Sequence, residues 1–526
     1  MLLNKEILYQ ILSSRVVNDS YNSLKALPSP TLFKDIQKAA LRVVKAIDNS
    51  EKIAVVGDYD VDGIVSTAIM VEFFELLGYN IEYIIPNRFE HGYGLSPKII
   101  DSLSKDTKVV ITVDNGISAN EAANMCYERG IDLIITDHHT PPATLPKAYA
   151  IVNPKQNDCN FPYQNICGAQ VAWYLCAAIK AELKIDINMA SFLDILSLAI
   201  IADIMPMREL NFAMTKRGLE YISSSKRVAL QEFLSMCNKS KINSEDIGFL
   251  LAPLLNSAGR LDDPHVSLRF LLSKNRFEAN KYLNDLVELN NQRKELQLLI
   301  YQEALDLVNI NDNVIVVYKA DWNEGILGIV ASKLSDKFKK PAFVLTKKDD
   351  IIKGSARSSG EIDLYKLLTL SKDTLLNYGG HKSAAGVALD VDSLDKFKSS
   401  LNNNFNHLDI EENSTKNYIG EMLLSEIDFE LFDIIEQFEP YGLDNEKPHF
   451  LFKNIQIQKV IGIGKNKEHT KFLIHNESNE TLEALLFGEE ARNYCELNSC
   501  SFVASLGINE FRGNVSLNLH IKEILD

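Results

Sequence analysis

Residues 53–63 read IAVVGDYDVDG. Ile53 to Val56 form an apolar run with the length of a buried strand, and Gly57 ends it. Asp58, Asp60 and Asp62 follow at alternate positions, closed by Gly63. One aspartate here would read as the cap of a following helix. Three carboxylates within five residues repel one another, and a folded chain keeps them together only with positive charge among them. The stretch predicts a strand-to-helix turn built around cations.

The same punctuation recurs on either side. TAIMVEFFELLG and SANEAANMCYERG read as helices, and NIEYIIPN, KVVITVDN and IDLIITDHH as strands. This alternation predicts an α/β fold, a parallel sheet with helices on both faces. Ligand sites in such sheets lie at the carboxyl ends of the strands. Each acidic or histidine group falls at such an end: Asp58, Asp60 and Asp62, then Asp114, then Asp137, His138 and His139. Residues 1–48 read as a helical segment and 49–275 as the α/β unit, helical in its later part. Residues 276–312 read as one long polar helix, a spacer between lobes. A second α/β unit is expected over 313–405, then a polar linker within NNNFNHLDIEENSTKN. Residues 415–526 carry short strand-like runs at the spacing of a small β-barrel.

A chain of 526 residues is too long for one core. Its 46% hydrophobic and 24% charged content is that of a soluble globular protein. Seven scattered cysteines without a CxxC pair argue against a disulfide framework or a zinc site and for a reducing compartment. The start, MLLNKEILYQILSS, has no signal-peptide core, and no run of about 18 apolar residues occurs, so a cytoplasmic protein outside the membrane is expected. The net charge of −16 counts only weakly against nucleic acid. Binding depends on the local field in a groove, and acidic metal ligands inflate the negative count.

Three further stretches carry related chemistry. VDNG (113–116) alone reads equally well as an ordinary turn. TDHH (136–139) sets two imidazoles beside a carboxylate, ligand types that transition ions favour. In LSLAIIADIMP (196–206), Asp203 ends an almost wholly apolar run, where an unpaired carboxylate is costly. It either caps the Met205-Pro206 turn or holds a metal. Together these groups predict two divalent cations, about 3.5–4 Å apart in sites of this kind. Histidine in the shell favours manganese, with magnesium possible.

In order and spacing, DYDVDG, VDNG, DHH and Asp203 resemble the DHH phosphoesterase superfamily. PNRFEHGYGLS (86–96), NPKQNDCNFP, NSAGRLDD (256–263), GILGIVASK (325–333), GSARSS (354–359), YGGHKSAAG (378–386) and INEFRGNVSLNL (508–519) extend the likeness. Over nearly the whole chain from about residue 50, they resemble the RecJ family of single-strand-specific 5′→3′ DNA exonucleases. The resemblance implies a DHH catalytic domain, a DHHA1-type second domain and an OB-like barrel. It implies two-metal hydrolysis of phosphodiesters to 5′-mononucleotides, in DNA recombination and repair. It also implies single-stranded DNA, single-strand-binding protein and a RecQ-type helicase as partners of a monomer.

The same likeness assigns residues. Asp60 and Asp114 hold one metal, and Asp114 bridges to a second held by Asp62, His138 and Asp203. Where phosphatase-like relatives have a histidine ligand this chain has Val56, and Asp58 is assigned in its place. Asp114, His139 and Asp137 are the catalytic assignments, with His139 facing the phosphate and Asp137 fixing a ring tautomer. Ser355, Arg357 and Arg88 would grip the 5′-terminal phosphate, and Arg260 and His381 the scissile one. Asn323 stands where the family usually carries a histidine. On the barrel, Lys459, Lys465, Lys467 and Lys471 gather around one turn beside Phe472, a combination suited to backbone tracking and base stacking. Phe511 and Arg512 offer a second such spot. A phosphodiesterase of short or cyclic oligonucleotides, and a non-catalytic scaffold, are the rival readings. The barrel argues against the first, and a retained set of repelling acids against the second.

Overall fold

The computed structural model describes residues 1–526 apart from 17–20, 22–23, 89, 359–361, 409–416, 477–480, 512–513 and 526. Strands β1 (Lys52–Val56), β2 (Glu82–Ile84), β3 (Thr107–Val113), β4 (Asp132–Thr136) and β5 (Ala150–Val152) form a parallel sheet in the order β2-β1-β3-β4-β5. Alternate residues feed two cores. Ile53, Val55, Val109 and Ile111 enter one, and Ala54, Val56, Val110 and Ile135 the other. Burial on both faces explains why the strands are apolar runs rather than alternating ones. The strand order reverses between β1 and β3, which makes their carboxyl ends the switch point of the sheet.

The second sheet is mixed. Its strands β6 (Ile315–Tyr318), β7 (Ala342–Lys348), β8 (Ile351–Arg357), β9 (Asn377–Gly380) and β10 (Ala384–Asp390) run in the order β6-β7-β8-β10-β9. The helix Arg276–Asp306, 31 residues long, joins the two sheets. Leu283 and Leu286 near its start belong to the first core, and Ile300 and Ala304 near its end pack against the second sheet. One helix therefore serves two cores, with its middle between them.

The third sheet comprises β11 (Gly420–Glu421), β12 (Phe450–Ile463), β13 (His469–His475), β14 (Thr481–Leu486), β15 (Ser499–Phe511) and β16 (Asn514–Leu525). Pairing of β12 with β15 closes five of these strands into a barrel. The first helix of the chain, Lys5–Arg15, packs here: Leu3, Leu8 and Leu12 share a core with Phe450, Phe452 and Phe502. Leu3 N–H donates to Glu421 O at 2.7 Å, and Lys5 pairs with Asp428 and Glu430. The next long helix, Ile36–Asp48, lies in the core of the first unit. The segment before residue 49 is thus divided between the two ends of the chain. Among the described residues no helix is long and apolar enough to cross a membrane.

Leu8 is fully buried in the barrel's core although it precedes the barrel by some four hundred residues. Leu8→Ala should therefore cost the barrel about 2–5 kcal/mol. Hydrogen exchange should accelerate at the amides of β12–β16 and stay unchanged in β1–β5. Equal protection in both sheets after the substitution would show that the helix does not brace the barrel.

Candidate active site

The turn after β1 is built from its own sequence. Asp60 caps the helix Val61–Leu76, accepting Gly63 N–H at 3.1 Å. A Cβ at position 63 would lie 2.5 Å from Asp58 O, so the turn closes only with glycine. Asp62, in the first helical turn, accepts the N–H groups of Gly168 (2.6 Å) and Ala169 (2.8 Å). These open the helix Gly168–Leu183, whose positive end supports the buried charge. Asp114 follows β3 in the left-handed region at φ +63, which aspartate tolerates better than most residues. Asn115 Nδ2 donates to Val56 O, Gly57 O and Val113 O, lashing the ends of β1 and β3 together. The VDNG stretch is therefore a candidate ligand followed by a staple.

Asp137, after β4, organises the histidines. Its Oδ1 accepts from His138 N, His139 N and His139 Nδ1, the last at 2.8 Å, and its Oδ2 accepts Ile117 N–H at 2.9 Å. His139 Nε2 is left facing the Tyr93 hydroxyl at 3.4 Å. His138 Nε2 sits among three acids: 3.2 Å from Asp114, 3.6 Å from Asp203 and 3.7 Å from Asp62.

Ligand atoms converge in three groups, each within 4.8 Å: Asp58, Asp60 and Asp114; Asp62, His138 and Asp203; and Asp114, His138 and His139. Asp114 thus stands between the first two groups. Val56 turns into the apolar core with Ala54 and Val110, whereas Asp58 stands with Asp60 and Asp114.

Burial raises the carboxyl of Asp114 well above its ordinary range, and Asp62, Asp60, Asp58 and Asp203 raise it further. Burial and then Asp60 do the same to Asp58, and burial with Asp62 pushes Asp203 up to about 8. Burial holds His138 down to about 4. Burial also opposes charge on His139, but its hydrogen bond to Asp137 together with the charges of Asp137, Asp203 and Asp60 raises it to about 9. Asp58 Oδ1, Asp114 Oδ1, Asp203 Oδ2 and His138 Nδ1 are buried without hydrogen-bond partners. Frustrated acids, a neutral imidazole and orphaned donor atoms fit divalent cations.

A positive group faces this negative one. Arg88 lies over the Tyr59 ring at 4.4 Å, and Arg260 Nη1 donates to Gly325 O at 3.1 Å. Arg357, at the end of β8, donates to Ala356 O and lies on Gly328, in the first turn of the helix Leu327–Phe338. Arg293, from the long helix, donates to the neutral Asn290 and Gln297. Burial, then Arg88, Arg293 and Arg357, lower Arg260 to about 10. Among the described residues, none of these four guanidiniums has a carboxylate within ion-pair distance. Arg293 escapes a reading of sequence because a charge in a long polar helix looks solvated.

Ser355 lies two residues before Arg357 and shares its face of β8. The pairing of Arg357 with Ala384 brings the exposed turn holding His381 to the same end of the sheet. Asn323 accepts Gly325 N–H at 2.9 Å, shaping the turn that meets Arg260. Lys155, partly buried after β5, feels the charges of Asp203 and Asp137. Neither Lys155 nor Tyr93 is singled out by the sequence.

On the barrel, Lys459, Lys465 and Lys467 are exposed, and Lys471 pairs with Glu483 at 2.9 Å. Phe472 requires a correction: it is 1% exposed, packed inside the barrel with its ring edge-on to Tyr494, and has no face for a base. Successive residues of a strand face opposite ways, so β13 cannot present both Lys471 and Phe472 outward. Arg512 lies outside the described residues, as does the side chain of Phe511.

Family models match residues 52–200 (DHH family, N-terminal domain), 311–407 (DHHA1 domain) and 420–523 (RecJ OB domain). The chain is 35% identical over 506 residues to the single-stranded-DNA-specific exonuclease RecJ of Bacillus subtilis, spanning 94% of this chain and 64% of that protein. It is 33% identical to the RecJ of Escherichia coli, spanning 98% of this chain and 95% of that one. A crystal structure of RecJ in complex with Mn2+ from Thermus thermophilus superposes with a TM-score of 0.82 at 26% identity, covering 99% of this chain and 76% of that one. The chain belongs to the RecJ family.

The electrostatics set a pH dependence for the metal-free protein. Asp203 titrates near 8 when folded and near 3.8 otherwise, so the folded state keeps a proton that the unfolded chain gives up. Stability therefore falls as pH rises through that interval. His139, raised from 6.5 to about 9, adds to the fall at the upper end. His138, held neutral, works the other way, but only between about 4 and 6.5. The net loss should thus show between pH 6.5 and 8, with Tm falling about 2–4 °C per kcal/mol. In calorimetry with a chelator, Tm should drop over that window, and manganese should restore it. Asp114→Asn should be more stable than wild type without metal at pH 8 and gain less from manganese. A chelated wild type that grows more stable from pH 6.5 to 8 would contradict this.

Proposed function

We propose that this chain is a single-strand-specific 5′→3′ DNA exonuclease that releases 5′-mononucleotides with two divalent ions, in DNA recombination and repair. Manganese is the preferred ion and magnesium a substitute. The observation that carries the reading is the placement of two candidate ligand groups around Asp114 opposite four guanidiniums that have no carboxylate partner among the described residues. One group awaits cations and the other awaits anions, and a phosphodiester strand with bound metals supplies both.

When bound, the ions polarise the phosphoryl oxygen and activate water near neutral pH. Asp58, Asp60 and Asp114 would hold one ion, and Asp62, His138 and Asp203 the other, beside Asp114. His139, kept protonated at neutral pH by Asp137, donates from Nε2 to the scissile phosphate or its leaving oxygen. Arg260 and His381 hold that phosphate, and Arg293 is a fourth cation for the strand. Ser355, Arg357 and Arg88 take the terminal 5′-phosphate, aided by the positive end of the helix Leu327–Phe338. Polarity follows, because a terminal phosphate carries more charge than one within the strand. In this reading residues 49–275 carry the metals, 276–312 join the lobes, 313–405 supply the grip and 415–526 track the strand. Single-strand-binding protein and a RecQ-type helicase are the proposed partners of a monomer.

Digestion of 5′- and 3′-labelled single strands with manganese, beside a blunt duplex, tests the reading. The 5′ label should be released first and the duplex spared; release from the 3′ end first would overturn it. Arg357→Ala should remove a charge-assisted contact of about 1.5–3 kcal/mol, a loss of roughly ten- to hundredfold on 5′-phosphorylated strands. Strands ending in 5′-hydroxyl should lose much less, so the ratio of the two rates is the measurement. Equal losses would move Arg357 out of the terminal grip.

The barrel is tested separately. Replacing Lys459, Lys465 and Lys467 by alanine should flatten the slope of log K against log salt by about 2, near 0.7 for each phosphate no longer neutralised. An unchanged slope for long strands would place the strand elsewhere.

A further inference from the structure

The candidate ligands are not held alike. Asp62 is fixed by two backbone N–H groups and Asp60 by one. The Asp203 carboxylate makes no hydrogen bond among the described residues, and the neutral His138 imidazole stands 3.6 Å from it. The placement of Asp203 therefore rests on its backbone. That backbone leaves the helix Leu193–Ala202 through Ile204, at φ +53, a left-handed conformation that a β-branched residue adopts only when its surroundings impose it.

Ile204 N–H on Ile201 O and Met205 N–H on Ile200 O close this turn locally, and the segment that follows it is held from the other end of the chain. Met207 N–H donates to Leu443 O at 2.6 Å, and Arg208 Nε donates to Asp444 O at 3.2 Å. Both acceptors lie in the loop 438–447, which leads into β12 of the barrel. This loop is fastened in turn. Glu439, largely buried, accepts Ser244 N–H at 2.6 Å and Tyr441 N–H at 3.2 Å. Asn445 Nδ2 donates to Phe438 O and Pro440 O, and Lys447 pairs with Glu245 at 2.8 Å. The connection runs from Glu439 through the loop to Met207, and from there across the strained turn to Asp203.

We infer that the loop 438–447 is a positioning element for Asp203, with Glu439 as its fastening residue. The barrel unit thereby sets the metal affinity of the group Asp62, His138 and Asp203, whereas the group Asp58, Asp60 and Asp114 is independent of it. The inference rests on the metal assignment proposed above. Glu439 touches neither metal nor substrate and acts only through the turn.

Manganese binding, counted from the electron paramagnetic resonance signal of the free ion, tests this without turnover. Wild type should bind two ions. Glu439→Ala should weaken one of them roughly tenfold, the usual effect of losing a supporting partner behind a ligand, and leave the other unchanged. Asp203→Asn should weaken the same ion, and combining the two substitutions should add little. Glu439→Gln keeps an oxygen to accept Ser244 N–H but sets an NH2 against Tyr441 N–H, and should bind between wild type and the alanine variant. If Glu439→Ala does not fold, Lys447→Ala, which breaks only a partly exposed ion pair, should weaken the same ion about two- to threefold. Unchanged affinities in the folded variants, equal weakening of both ions, or a Gln variant as weak as the Ala one would overturn the inference alone. A wild type that binds no manganese would overturn the metal assignment with it.

Discussion

Mutual repulsion among carboxylates buried at the switch point is the constraint on which the rest of this structure depends. Asp58, Asp62 and Asp114 are each almost fully buried, and each has its carboxyl raised by burial. Left alone, such a group would drive the ends of β1 and β3 apart. The surrounding sequence opposes that motion at several points. Asn115 ties three carbonyls of β1, its following turn and β3. The amino end of the helix Gly168–Leu183 grips Asp62, and His138 lies between three of the acids. The scaffold is stiff where the charges are, which keeps the candidate ligand atoms converged.

The positive group is the complement of this arrangement. Arg88 and Arg260 come from the first unit, Arg293 from the connecting helix and Arg357 from the second sheet. Burial and then the other three charges lower Arg260, a cost that a nearby acid would relieve. In a chain with 71 acidic residues against 55 basic ones, four guanidiniums in one place without a carboxylate partner among the described residues are the informative departure. Net charge therefore misleads about this protein's partner, because the field that matters is local.

The candidate metal site was legible because its residues are constrained in type and most lie at strand ends, which can be read from apolar runs. The three acids after β1, Asp114 and the DHH histidines needed only the rule that strand carboxyl ends share an edge, whereas Asp203, which ends a helix, stood out as an acid after an apolar run. The features that escaped depend on packing between distant segments. Nothing in MLLNKEILYQILSS says that Leu8 belongs with Phe452, and nothing in FEPYGLDNEK says that it meets the turn after Asp203. Phe472 failed for a different reason. Adjacency to Lys471 looked like a shared surface, but in a strand adjacency means opposite faces, and the larger apolar residue takes the inside.

The joint between lobes is where the candidate metal ligands and the proposed phosphate grip are held to one another. Arg260 Nη1 donates across it to Gly325 O, and a Cβ at position 325 would fall 2.2 Å from Arg260 O, so the backbones also approach closely there. Asn323 braces the same turn by accepting Gly325 N–H, which gives the residue at this departure from the family pattern a structural task. Under the proposed function, Arg260 serves the scissile phosphate and Arg357 the terminal one. The span between them then depends on a contact of two backbones rather than on flexible side chains. An enzyme that removes one nucleotide at a time needs that distance fixed, since a grip that drifted relative to the metals would cut at variable lengths. The long helix sets the gross separation of the two cores, and this glycine contact sets the fine one. Cleavage register is in that sense a property of the lobe joint, as much as of the residues that touch the phosphates.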